Sequence, residues 1–324
     1  MKEKILKLLF NTSQKNLSGV VLSEKLKISR VAVWKHIKAL KQTGITINST
    51  PKGYNLAHKD DLLFPFCFEE YQEKIYYFPS VLTTMNTAKE LVKDGVKDFS
   101  IIIAQDQTQG RGRLNRKWIS PGGGLWFTLI LKPDLPPPFA YILNFAASLS
   151  LAQCLNSLFD IDAKVKWPND ILIGEKKLAG LLSEMETKGD MLKFVNIGIG
   201  LNVNNSLPQG IPDSISIKHK VKKHCSRRKI LINFLNIFEK LYKDINNQKI
   251  TNKEIIDLWK KQTSTIGKHV IIETFGKKHK GLAIDVDNTG ALILQTENHP
   301  SEKEKKVNLI KKVIYGDCFY KGNN

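Results

Sequence analysis

The sequence predicts an α+β protein of several domains: a small basic helical head, a central region of helices and strands over a mixed sheet, and an all-β tail. Three observations carry this. At 324 residues with 42% hydrophobic content, the chain is long enough for two or three cores. Residues 1–60 hold twelve Lys+Arg against three Asp+Glu, a local charge of +9 within the +19 of the whole chain. The apolar spacing also changes twice, from helical in the head, to helices interleaved with β-branched runs from about residue 75 to 250, to strand–turn–strand alternation from about Gly267.

In the head, Ile5, Leu8 and Leu9 form a helical stripe. LSGVVLSEKL reads as a second helix, capped by Ser18, with Val21, Leu22 and Leu26 inward. Ser29 caps a third, RVAVWKHIKALKQTG, which Gly44 ends. On it Val33, Ile37 and Leu40 make a core face, while Arg30, Trp34, Lys35, Lys38 and Lys41 lie opposite. ITINSTPKGYNL then gives two short strands around a turn with Pro51, Lys52 and Gly53. This is the pattern of a winged helix-turn-helix, whose third helix enters the major groove and whose wing, with Lys52, touches phosphate. Lys35 and Lys38 supply salt-sensitive affinity; discrimination falls to Arg30, Val31, Trp34 and Lys35 at the Ser29 end of the helix. A three-helix unit with a solvated basic face that docks protein is the competing reading. Trp34 favours DNA, because a tryptophan on a polar face needs a partner.

DLLFPFCFEEYQEKI (61–75) is a connector whose apolar anchors hold the head against the central region. SIIIAQD, GGLWFTLILKP, AKVKWPNDILI, KLAGLLSEME and KFVNIGIGLNV read as strands. NTAKELVKDG and AYILNFAASLSLAQCLNSLF read as helices, with Gly95 and Pro138 as boundaries. A last helix over Arg228 to Asn247 comes after a basic stretch, KHKVKKHCSRRK, which is a solvated loop or a second nucleic-acid contact. The tail alternates around turns at Gly276 and Asp287-Asn288, a small antiparallel barrel in which nothing suggests catalysis. Cys67, Cys154, Cys225 and Cys318 form no CxxC pair and no zinc spacing, which argues against a disulfide framework. MKEKILKLLF is too short in its apolar run for a signal peptide, and no window approaches a membrane span. A cytoplasmic protein without a membrane partner is the expectation.

The chemistry concentrates in TQGRGRLNRKW (Thr108 to Trp118), which sets Arg111, Arg113, Arg116 and Lys117 within seven residues. Such a cluster repels itself unless an anion sits in it. Four more fragments accompany it: TTMNTAKEL (Thr83 to Leu91), KWPND (Lys166 to Asp170), KKLAGLL (Lys176 to Leu182) and NIGIGLNVN (Asn196 to Asn204). Alone, each has a bland reading: a mobile basic turn, a strand end broken by Pro168, a glycine-rich strand allowing close backbone approach. In this order and spacing they resemble biotin–protein ligases. With the winged helix, the whole chain is similar to the bifunctional bacterial form that also represses biotin operons.

That resemblance implies a winged helix-turn-helix over 1–62, a mixed-sheet α/β catalytic domain of the biotin/lipoate ligase type over 63–262, and an SH3-like barrel over 263–324. It implies an ATP-dependent, AMP-forming biotin–[acetyl-CoA-carboxylase] ligase. Biotin and ATP, with Mg²⁺, give biotinyl-5′-AMP, and the biotinyl group then passes to a lysine of a carboxylase's biotin carboxyl carrier domain. The adenylate would also act as corepressor, promoting a homodimer on operator DNA by reciprocal linkage. Lys177 and Arg113 are the implied catalytic pair, since joining a carboxylate to a polyphosphate requires fixed cations at the α-phosphate. The implied biotin-binding set is Thr84, Met85, Asn86, Gln107, Gly110, Arg111, Gly112, Arg113, Lys177, Gly180, Gly198 and Gly200. The nucleotide set is Arg111, Arg113, Arg116, Trp118, Lys166, Asp170 and Asn202. Arginine takes phosphate oxygens bidentately, lysine acts as a compact charge, and the glycines let backbone approach the ligand.

On this reading the loop is disordered without anions and closes over the bound adenylate, laying Trp118 against the adenine or the biotin pocket. Trp118 as a plain core residue is the alternative. Biotin's ureido group demands matched polar partners in an apolar slot, with Thr84, Asn86 and Gln107 at the matching positions; for Asn86 a role behind the contacting residues is equally open. Two departures stand out. Met85 puts a thioether where the family carries a hydroxyl, and Asn115 replaces a glycine, with asparagine tolerating left-handed backbone. For KWPND a purely structural role stays equally open, and Lys166 and Asp170 orient the loop, the phosphates or Mg²⁺. A lipoate-type ligase, a biotin-sensing regulator and a ligase whose winged helix no longer binds DNA are the remaining alternatives.

Overall fold

Serine caps and a buried stripe build the head. In the computed structural model, which describes residues 1–12, 15–207, 213–274, 276–297 and 308–320, three helices open the chain. They are α1 (Lys2–Asn11), α2 (Gly19–Leu26) and α3 (Arg30–Gln42). The hydroxyls of Ser18 and Ser29 accept from the N–H of Val21 and Ala32, each at 3.1 Å. Leu22, Val33, Ile37 and Leu40 are buried as their spacing requires. On α1 the buried set is Ile5, Leu6 and Leu9; Leu8 is half-buried, so the stripe is rotated from the expected one. The wing is an antiparallel pair, β1 (Ile47–Thr50) and β2 (Gly53–Leu56). Leu17 and Tyr54 exchange two backbone hydrogen bonds of 2.9 Å, and a Cβ on Gly53 would fall 2.3 Å from the Leu17 carbonyl oxygen. Only glycine lets the wing lie that close to the helices.

The central sheet has seven strands. They are β3 (Ile75–Val81), β4 (Ser100–Gln107), β5 (Leu125–Leu131), β6 (Ala163–Lys166), β7 (Asp170–Ile173), β8 (Lys176–Lys188) and β9 (Met191–Leu201). Their order is β3-β4-β5-β9-β8-β7-β6, with β3 and β4 parallel and every other pair antiparallel. β3, which follows the connector, was not expected: Pro79 and its half-exposed residues hide it. KWPND is not strand interior but the turn of the β6–β7 hairpin, with a cis Trp167–Pro168 bond.

Helix α4 (Thr84–Lys93) covers one face of the sheet; α5 (Tyr141–Phe159), α7 (Arg227–Asn246) and α8 (Asn252–Lys260) form the main core with the other, and α6 (Ile217–Val221) is a short turn before α7. α8, missed in the sequence because it is short, starts with a Thr251–Glu254 capping box. Strand alternation assigns the faces. Leu125, Phe127, Leu129 and Leu131 of β5, with Val195, Ile197, Ile199 and Leu201 of β9, join the main core. Trp126, Thr128 and Ile130, with Asn196, Gly198 and Gly200, face α4. By length and composition alone, the helix of residues 137–159 would cross a bilayer, contrary to the expectation that no window does. Its apolar length is instead spent inside the protein, 67% of it buried.

The tail is one antiparallel sheet of β10 (His269–Thr274), β11 (Lys277–Val286), β12 (Leu292–Glu297), β13 (Asn308–Val313) and β14 (Asp317–Tyr320), ordered β13-β12-β11-β10-β14. Trp167 fastens it to the centre: its backbone N–H donates to Thr265 Oγ1 at 2.9 Å and its indole N–H to the Gly290 carbonyl at 3.0 Å. The four cysteines are free and buried, and burial pushes the thiols of Cys67, Cys154 and Cys318 up to about 12.

As expected, the connector clamps the head to the centre. Phe64 and Phe66 of the connector pack against the head, and the ring of Phe66 meets that of Phe10 edge-on. His58 stacks on His224 with ring centroids 4.0 Å apart. Asp61 and Arg227, 8% and 6% exposed, pair at 3.0 Å; Arg227 also donates to Gln105 Oε1 on β4 and to the Gly124 carbonyl. Removing one member of such a pair leaves a buried charge uncompensated. Asp61→Ala is therefore expected to lower unfolding stability by about 3–5 kcal/mol, read from urea denaturation.

Candidate ligand-binding site

Three glycines make a strip on the α4 face of the sheet: Gly180 of β8 lies opposite Gly200 of β9, and Gly198 opposite Leu182 and Thr128. A Cβ at Gly198 would fall 2.7 Å from Met85 Sδ, one at Gly200 2.4 Å from Trp118 Nε1, and one at Gly180 3.3 Å from the Trp118 ring and Lys177 Cε. Met85 and Trp118 thus stand on the strip, beside a cavity of about 770 Å³. That is a volume for an extended small molecule.

At one end lies a polar knot under the start of α4. Thr83 caps the helix, its hydroxyl accepting from Met85 N–H at 3.0 Å. Gln107 Oε1 accepts from the backbone N–H of Thr84 at 2.8 Å and from its hydroxyl at 3.2 Å. Gln107 Nε2 donates to Ser120 Oγ at 2.8 Å, and Thr128 Oγ1 to Thr84 Oγ1 at 2.8 Å. Thr84, Met85 and Gln107 line the cavity as expected. Asn86, one residue further along the helix and so turned by about 100°, is exposed and outside the cavity lining.

At the other end are the cations. The basic loop folds into a tight hairpin: Gly112 N–H donates to the Arg116 carbonyl at 2.7 Å and Trp118 N–H to the Gly110 carbonyl at 2.8 Å. Gly110 is outside the cavity lining; a Cβ there would meet the Trp118 carbonyl oxygen at 2.3 Å, so the loop's own backbone requires this glycine. Left-handed backbone is found at Leu114 (φ 51°), the neighbour of the asparagine expected to need it. Protein groups answer the charges of the loop. Arg111 pairs with Glu184 of β8 at 2.7 Å, and Lys89 of α4 reaches the same carboxylate at 2.8 Å. Arg116 pairs with Asp317 of β14 at 2.5 Å, and Arg113 donates to Asn169 Oδ1 at 3.3 Å. Desolvation lowers the pKa of Arg113, Asp317 and Asp170 oppose that, and Arg116 adds to it. A cation held this way gains from any anion that enters.

Lys177 lies 2.7 Å from Asp170 and 5.1 Å from the centre of the Trp118 ring. Lys166 lies over the Tyr320 ring at 4.7 Å. Lys177, Lys166, Asp170, Asn202, Arg111, Gly112, Arg113, Arg116, Trp118 and the three strip glycines all line the one cavity. Trp118 is half-buried with its indole N–H buried and unpartnered among the described residues, so it is a cavity wall and not a plain core residue. The tail contributes Lys278, Lys280, Asp317 and Tyr320 to the lining. Sequence reasoning missed Thr128, Asn169, Glu184 and Asp317. Each is a common residue whose partner lies far along the chain.

On the head, Ser29, Arg30, Val31, Trp34, Lys35, Lys38 and Lys52 are all exposed, as the winged-helix reading requires. Lys38 lies over the Trp34 ring at 5.4 Å, so the tryptophan and its cation present one surface.

Comparison with known proteins agrees with this architecture. Residues 2–55 match an HTH domain, residues 77–203 the biotin/lipoate A/B protein ligase family, and residues 265–321 the biotin protein ligase C terminal domain. The bifunctional ligase/repressor BirA of Bacillus subtilis (strain 168) is 32% identical over 309 residues, covering 91% of this chain and 94% of its own. The biotin–[acetyl-CoA-carboxylase] ligase of Paracoccus denitrificans is 27% identical over 221 residues, 65% of this chain and 91% of that one. Among solved structures, the Aquifex aeolicus biotin protein ligase in complex with biotin and ATP superposes with a TM-score of 0.62 at 25% identity, over 76% of this chain and 98% of that one. With its three domains in this order and its identity sustained across nine-tenths of the chain, the protein belongs to the family of bifunctional biotin ligase/repressors.

Proposed function

We propose that this chain, read as domains 1–62, 63–262 and 263–324, joins biotin to ATP and passes the biotinyl group to a lysine of a biotin carboxyl carrier domain. The same chain represses biotin synthesis genes by binding operator DNA through its head. The observation that carries this reading is one cavity lined by Thr84 and Gln107, which a neutral polar knot joins to Thr128, and by the cations Lys177 and the desolvated Arg113. Biotin has that polarity, a neutral ureido head and an anionic tail.

In the first step a carboxylate oxygen of biotin bonds to the α-phosphorus of ATP, the bond to the bridging oxygen breaks, and pyrophosphate leaves. Two anions must meet. Lys177 offsets the charge shared by carboxylate and α-phosphate, and Asp170 keeps its ammonium in the cavity until they arrive. Arg113 binds phosphate, while Arg111 anchors the loop to β8 through Glu184. Trp118 covers the adenylate and excludes water from a hydrolysable anhydride. In the second step the carrier lysine amine attacks the acyl carbon, AMP leaves, and an amide remains. Mg²⁺ neutralises the polyphosphate when bound. Asp170, a carboxylate of the cavity lining, would hold the ion. The adenylate promotes a homodimer whose two heads bind a two-fold site, and carrier and operator meet the protein in the cytoplasm.

Two experiments test this. Biotin-dependent ATP–pyrophosphate exchange is expected in the wild type and to fall by about 100-fold or more in Lys177→Ala; exchange that tracks lipoate instead of biotin would overturn the assignment. For the head, Lys35→Gln with Lys38→Gln should lower the salt slope of operator binding by roughly 0.9 for each phosphate no longer neutralised, while exchange activity is unchanged. Operator affinity that ignores biotin plus ATP would remove the corepressor role.

A further inference from the structure

Asn196 stands on β9 two residues before Gly198, on the sheet face that α4 covers. In the ladder it lies between Ile130 of β5 and Glu184 of β8. It is 0% exposed, yet neither Nδ2 nor Oδ1 has a hydrogen-bond partner among the described residues. No other side-chain amide among them is buried with donor and acceptor both unmet. Burying an amide this way is costly, and a β-branched apolar residue would serve the sheet better. The position is therefore explained by something that arrives.

Gly198 lines the cavity, while Glu184 and Asn196 itself are not among its lining residues. Gly198, the next residue on that face, is covered by the cavity-lining Met85. Glu184, its cross-strand partner, holds the cavity-lining Arg111. The knot beside it is largely committed to itself: Gln107 Oε1 already accepts twice from Thr84, and Thr128 donates to Thr84. Met85 offers only a thioether, but its unbranched side chain shifts easily and can uncover the step to Asn196.

We propose that Asn196 is a further biotin-recognition residue that pairs in two places with the ureido group, a proposal that rests on the biotin reading of the cavity. Its Oδ1 accepts from a ureido N–H, and its Nδ2 donates to the ureido oxygen. A side-chain amide and a urea present this donor–acceptor pattern to each other edge to edge. The residue thereby adds hydrogen bonding that Met85 does not supply.

The test compares the wild-type full chain with Asn196→Val and Asn196→Ser. In pyrophosphate exchange, Val should raise the biotin KM by roughly 10- to 100-fold and leave the ATP KM unchanged, with Ser intermediate. The ligand-free melting temperature of the Val variant should equal or exceed that of the wild type, and its biotin-induced shift should shrink. Unchanged biotin KM in both variants, as for an amide satisfied by a buried water, overturns the proposal; so does an equal rise in the biotin and ATP KM. Should Val fail to fold, Ser carries the same test. A wild type without biotin-dependent exchange would instead sink the biotin reading itself.

Discussion

Positive charge kept waiting is the constraint on which the site is built. The cations of the cavity sit against acceptors supplied by the protein. Glu184 answers Arg111, Asp317 answers Arg116, Asp170 answers Lys177, and the amide oxygen of Asn169 answers Arg113. Each of these cations thus has an acceptor that the protein itself supplies. The acceptors come from three different parts of the chain, so the whole assembly must be in place for the cluster to be tolerated.

That dependence explains why the tail and the head are fixed so firmly to the centre. Trp167 carries the tail on two hydrogen bonds, bringing Asp317 to Arg116 and Tyr320 to Lys166. Asp61 and Arg227 carry the head, and Arg227 extends the connection to β4 and to the start of β5.

The residues readable in the sequence were those that a backbone or a charge makes unusual. Serine caps, the glycine that ends α3, the GRGR cluster and the alternating glycines of β9 each have few uses, and each led to the correct element. Partners of ordinary type were not readable, because Glu184 or Thr128 gains meaning only when strand pairing brings it to Arg111 or Thr84. β3 escaped notice because Pro79 interrupts its pattern, and the tail's share of the cavity because its contacts span more than a hundred residues. Helical rotation also splits a motif shared by neighbours in sequence, burying Thr84 and Met85 and exposing Asn86.

The parallel β3–β4 pair has a consequence for ligand orientation. Chain crossing between parallel neighbours obliges α4 to begin where β3 ends, so the electropositive end of the helix macrodipole meets the cavity. Its first two N–H groups are already taken by uncharged oxygens of Gln107 and Thr83. That end is thereby masked as an anion trap, and a charged substrate group finds its stronger attraction at the opposite wall. The topology gives the cavity a polarity along its length, and a two-ended molecule can enter it in only one sense.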